Sequence, residues 1–180
     1  MPIHDTSLAY ALQLRFRGVA SRSYRVTEFQ AQRLQQILED GPGNMFVLET
    51  AEHQVAIAPS ALLAVNILWE PAALIADHGL DPTFDHPVLA YFLQSPEPTK
   101  IEVDPDMPSG QIGSEDHQPG QLAELLEVLE VGGPERFHTI LDADGEKVML
   151  SIHDLMLLEV PRIYLEPARY AAFVDANDQA

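Results

Sequence analysis

Asp77-His78, Asp81 and Asp85-His86 place two histidines and three aspartates within ten residues. Imidazole nitrogens with carboxylate oxygens are the donor set that zinc, manganese or iron accepts. His78, Asp81 and His86 are accordingly the candidate metal ligands of this chain. Their spacing follows no established ligand motif, and Pro82 and Pro87 make the segment irregular. A solvated acidic linker accounts for the same residues more simply.

Nucleophilic catalysis needs a hydroxyl or thiol held beside a base. The chain has no cysteine, and its nearest serine–histidine pair is Ser151-Ile152-His153-Asp154. Ser151 and His153 share one face if the segment is extended, but a turn with a capping aspartate is the simpler reading, and no catalytic residue is assigned. Asp142-Ala143-Asp144-Gly145 begins like a calcium loop, yet its glycine comes too early for the twelve-residue ligand pattern. Asp144-Gly145 is instead the strongest hairpin signal in the chain. Gly41-Pro42-Gly43 and Gly132-Gly133-Pro134 follow helical patterns rather than lead into them. They are stop signals, not phosphate-binding loops, and no cofactor is expected.

The charged residues carry a different message. There are 28 acids against 10 bases, a net charge of -18. Such a surface repels nucleic acid and anionic membrane alike. The distribution is uneven. Arg15, Arg17, Arg22, Arg25 and Arg33 outnumber the four acids of residues 1–40, whereas the rest of the chain has five bases and 24 acids. Arg15, Arg17, Arg22 and Arg25 are therefore the candidate interaction residues, able to meet acidic surface on a neighbour. Their alternation with apolar residues places them on the wet face of a hairpin. Asp104, Asp106, Glu115, Asp116 and His117 fall in a polar loop over 104–120, read as an insertion.

These residues need elements to position them. Leu12 to Arg17 alternates apolar with polar, as a half-buried strand does, and Ser23 to Val26 resumes the pattern. Thr27-Glu28-Phe29-Gln30 matches a capping box, with Ala31, Leu34, Ile37 and Leu38 following at helical spacing. Strands are expected over Met45–Glu49, Gln54–Ala58 and Leu63–Trp69. The order then recurs: strands over Val88–Leu93 and Thr99–Val103, a helix marked by Leu122, Leu125, Leu126 and Leu129, and strands over Phe137–Leu141 and Lys147–Ile152. Leu155–Val160 and Ile163–Leu165 complete the second block.

Val55-Ala56-Ile57 and Leu62 to Val65 resemble Val148-Met149-Leu150 and Leu155 to Leu158 at a constant spacing of 93. The helices correspond at a spacing of 91, Leu34 with Leu125. The expectation is an α+β chain made by tandem duplication of a β-β-α-β-β unit, with antiparallel sheets each packed by one helix. The units span 1–71 and 88–167, joined by a linker over 72–87, with a short helical tail over 168–180; the alternative is one fused domain.

An apolar share of 46% and a mean hydropathy of -0.05 are enough for a buried core. No apolar run approaches the roughly 18 residues needed to cross a bilayer, and a cytoplasmic location is expected. The favoured function is a non-enzymatic acidic protein-interaction module, an adaptor, assembly or regulatory factor that self-associates as a homo-oligomer or meets a protein partner. Neither nucleic acid nor membrane is expected as a partner. Two alternatives stand beside it: an inhibitor or immunity-type protein imitating nucleic acid, and a metal-dependent enzyme with its site in the linker.

Overall fold

Ten strands and two helices emerge from these patterns in a computed structural model, which describes residues 10–41, 43–50, 53–69, 87–103 and 120–165. The metal candidates His78, Asp81 and His86, the acidic loop and the C-terminal tail lie outside the described residues. Alternation produces β1 (Tyr10–Phe16) and β2 (Arg22–Val26). Thr27 then starts α1 (Glu28–Asp40) with the expected capping box: its hydroxyl accepts from the Gln30 amide at 3.3 Å, and the Gln30 side chain accepts from the Thr27 amide at 3.1 Å. β3 (Phe46–Glu49), β4 (His53–Ile57) and β5 (Leu62–Trp69) complete the first half. The second comprises β6 (Val88–Phe92), β7 (Thr99–Ile101), α2 (Gln121–Val131), β8 (Phe137–Leu141), β9 (Lys147–Ser151) and β10 (Leu155–Pro161).

The strands form three antiparallel sheets, ordered β2-β1-β5, β3-β4-β10-β6-β7 and β8-β9. The fold is thus α+β. Its sheets are not divided one per half, however. The β3–β4 hairpin of the first half adds to β10 of the second, with Ile57 opposite Leu157 and Val55 opposite Glu159. The physical reason lies in β10, whose seven residues are all buried. A strand apolar on both faces needs a neighbour on each edge and a layer on each face.

The five-stranded sheet is the middle layer. On one face Leu48, Val55, Ile57, Tyr91 and Leu157 meet Leu12, Leu14 and Val26 of the three-stranded sheet and Leu34 of α1. On the other, Ala56, Ala90, Leu158 and Val160 meet Leu122, Leu125 and Leu129 of α2, with Ile140 and Leu150 of the β8–β9 hairpin. After Pro161 the chain turns into a 3-10 segment, Arg162–Leu165, where a further strand was expected. Pro161 has no amide hydrogen for a continuing ladder.

The β8–β9 hairpin is a two-stranded sheet of its own, an arrangement that is marginal in isolation. Gln121 ties it down. This buried side chain donates to the Leu141 carbonyl at 2.7 Å and accepts from the Leu141 amide at 2.8 Å. Gln121→Leu is expected to lower stability by about 2 kcal/mol, since both backbone groups lose their partner behind an apolar side chain. Urea unfolding checks this; a loss within ~0.5 kcal/mol would mean that solvent replaces the amide freely.

The turn between the two strands departs from the simple two-residue form. The Gly145 amide donates to the Asp142 carbonyl at 3.0 Å, and Gly145 takes φ of 79°. This is a turn followed by a left-handed glycine, the geometry of a longer hairpin loop. The Asp142 carboxylate accepts from the amides of Asp144 and Glu146 at 3.1 and 2.8 Å. The carboxylate organises the turn, as the hairpin reading expects.

Candidate interaction surface

The polar centre of the molecule joins three strands that are distant in sequence. Alternation puts Arg22, Tyr24 and Val26 on the same side of β2, and Glu159 of β10 faces them. The Tyr24 hydroxyl donates to Glu159 Oε1 at 2.5 Å, and the Tyr91 hydroxyl donates to Oε2 at 3.3 Å. Arg22 Nε lies 3.5 Å from Oε1, while Arg22 Nη2 donates to the Tyr91 hydroxyl. The guanidinium carbon is 4.8 Å from the centre of the Tyr91 ring. Each polar group of Glu159 is thereby matched, as a buried carboxylate requires. Burial first, and then the charge and hydrogen bond of Glu159, push the Tyr24 hydroxyl well above its ordinary pKa. Burial and Glu159 also raise that of Tyr91.

This arrangement corrects the reading of Arg22 as a residue on the wet face. Arg15 and Arg17 are exposed, but Arg22 has the parity of Tyr24 and Val26 and points into the protein. The parity was visible in the sequence; its consequence depended on Glu159, the one charge in the apolar run Leu155–Val160. That isolated acid was the signal for the cluster. The cluster bonds the three-stranded sheet to the five-stranded one through Glu159.

A groove of about 710 Å³ opens elsewhere, between the C-terminal end of α2 and the turns that precede β5 and β10. Arg17, Asn44, Ser60 and His153 supply its polar atoms, and Val131 and Met156 belong to its apolar lining. Asn44 donates to the Val131 carbonyl at 2.6 Å and so caps the helix end. Gly132, with φ of 77°, passes so close that an added Cβ would lie 2.6 Å from the Asn44 side chain. Ser151 gives its hydroxyl to Asp154 at 2.7 Å, not to His153. The serine and histidine therefore form no nucleophile–base pair, and the turn with a bonded aspartate is what the segment builds. Among the described residues no three histidine, aspartate or glutamate side chains converge as metal ligands.

β5 is a further exposed feature. Its sequence Leu-Leu-Ala-Val-Asn-Ile-Leu-Trp contains no charge, and Leu63 and Ile67 are 58% and 38% exposed. Within the described residues β5 has a hydrogen-bonded neighbour, β1, on one edge only. Charges stand in four of the other outer strands, Arg25 in β2, Glu49 in β3, Lys100 in β7 and Lys147 in β9, while β8, like β5, has none. The sequence marks β5 as a strand and offers the arginines as the interaction residues; the uncharged run of β5 is a second exposed feature beside the exposed Arg15 and Arg17.

No helix among the described residues is long and apolar enough to cross a membrane, a statement that does not extend to strands. No protein-family model, no curated protein and no solved structure matches this chain.

Proposed function

We propose that this chain is a non-enzymatic acidic protein-interaction module that self-associates, built on a tandem duplication. The observation that carries the interaction is β5, a strand with the composition of a sheet centre that has one neighbour among the described residues. An unprotected apolar edge is a template for another chain. The duplication is supported by details beyond the repeated order of elements. The β1–β5 ladder skips Leu63, and the β6–β10 ladder skips Met156, 93 positions later. Arg17 donates its amide to the Ala61 carbonyl, and Leu93 does the same to Asp154, at the corresponding positions. Leu12 opposite Tyr24 corresponds to Val88 opposite Ile101.

The acidic surface keeps such a protein soluble and selects its contacts, while the edge supplies the adhesion. Self-association through an apolar edge is insensitive to screening. The mass in solution should therefore exceed that of a monomer both in dilute buffer and in about 1 M salt, where screening acts within ~3 Å. Light scattering or sedimentation measures it. A monomer under both conditions overturns the proposal, and an oligomer that dissociates in salt moves the contact to the exposed Arg15 and Arg17.

A further inference from the structure

On the basis of that self-association, we infer that the edge of β5 that no described strand covers is completed by β9 of a second copy, in the register that β4 takes on β10 within one chain. The argument begins with two strands of equivalent position. β10 has β6 on one edge and β4 on the other; β5 has only β1 among the described residues. Likewise β4 is bonded to both β3 and β10, whereas among the described residues β9 is bonded to β8 alone. Among the described residues one of two equivalent pairings is made and the other is not, which leaves two complementary edges on opposite halves of the chain.

The exposed apolar residues say the same thing independently. Ala56 is fully buried in the core around α2, with Met45 and Val47 packed against it. Ladder register makes Phe137, Thr139 and Met149 their counterparts on the second hairpin, since Val47 lies opposite Ala56 and Thr139 opposite Met149. Phe137 is 44% exposed and Met149 63%. The partner surface matches. Leu129 of α2 is buried, while Leu38, its counterpart 91 positions earlier on α1, is exposed. Leu150 already packs on its own helix side, as Ile57 does, so only the outward-facing residues of the β8–β9 hairpin await a layer.

The missing layer is the β5 edge and the α1 surface of another molecule. Mapped by the 93-residue spacing, Ala56 opposite Leu158 becomes Met149 opposite Val65, and Ile57 opposite Leu157 becomes Leu150 opposite Ala64. Met149 would then share with Val65 the face that packs on α1. Two copies exchanging hairpins in this way close as a two-fold dimer; a one-way exchange gives an open chain of molecules.

The absence of cysteine from this chain makes the register directly testable. Full-length Val65→Cys and Met149→Cys variants, mixed and oxidised, should form a disulfide-linked pair, because opposite strand positions bring Cα atoms to about 4.5–5.5 Å, within disulfide reach. Each variant alone should link several-fold less. Ile67→Cys with Met149→Cys, two residues out of register, is the control. Met149→Asp, at an exposed position, should lower the mass to that of a monomer with an unchanged circular-dichroism spectrum. Linkage of Val65→Cys to itself would mean β5–β5 pairing and overturn the inference. An oligomer with no Val65–Met149 linkage overturns it too, while leaving self-association in place; a monomeric wild type overturns both.

Discussion

Glu159→Ala is expected to lower folding stability by about 3 kcal/mol, the cost of leaving the buried Tyr24 hydroxyl without its acceptor and the half-buried Arg22 without its counter-charge. Glu159 accepts from Tyr24 and Tyr91 and faces the guanidinium of Arg22, so its removal strands the Tyr24 hydroxyl and leaves Arg22 and the Tyr91 hydroxyl with only each other. The cluster joins β2 of the three-stranded sheet to β10 and β6 of the five-stranded one, and the loss should be global rather than local. Glu159→Gln keeps an acceptor for the tyrosines and removes only the charge, and about half the loss should remain. Arg22→Met combined with Glu159→Leu should recover only the part of the loss that comes from the uncompensated cation, because the Tyr24 and Tyr91 hydroxyls still lack their partners. Urea unfolding of the four proteins measures each step. Equal stability of wild type and Glu159→Ala would show that solvent reaches the cluster freely.

Stability should fall steeply in alkali, and Tyr24 should account for much of the slope. Its hydroxyl is pushed well above the ordinary value of 10.0 by burial and by Glu159. Below pH ~10 the hydroxyl is protonated in both folded and unfolded chains, and its contribution is fully present. Above that value the unfolded chain releases the proton while the folded chain retains it. The unfolded state then binds fewer protons, and stability declines by up to about 1.4 kcal/mol per pH unit for this group. Tyr91, raised for the same reasons, extends the effect. Tyr24→Phe removes a hydrogen bond, and its stability at neutral pH should be lower, but its alkaline slope should be shallower than that of wild type. Unfolding free energies between pH 8 and about 11, with tyrosinate absorbance followed in parallel, separate slope from baseline. Identical slopes would place the Tyr24 hydroxyl in solvent.

Both results concern residues that local patterns describe only in part. The alternation through Leu12 and Leu14, the box at Thr27 and Gln30, the leucine spacing of α2 and the Asp144-Gly145 turn are decided by contacts within a few residues, and each element stands where those contacts put it. The repeated order of elements was legible for the same reason. The partner of a strand edge is not a local property. Leu-Met-Leu-Leu-Glu-Val-Pro of β10 and Leu-Leu-Ala-Val-Asn-Ile-Leu-Trp of β5 read alike, as apolar runs near the end of each half.

Only the tertiary structure distinguished them. It placed β4 on β10, buried that strand on both faces, and gave Glu159 its tyrosines and arginine; it left β5 with one neighbour among the described residues. Backbone amides and carbonyls pair with any strand that arrives in register. Which strand arrives depends on the layers stacked above and below, and therefore on residues far away in the chain. Composition and short-range spacing thus determined what the pieces are, while packing decided which apolar strand gained a neighbour on both edges and which has one among the described residues.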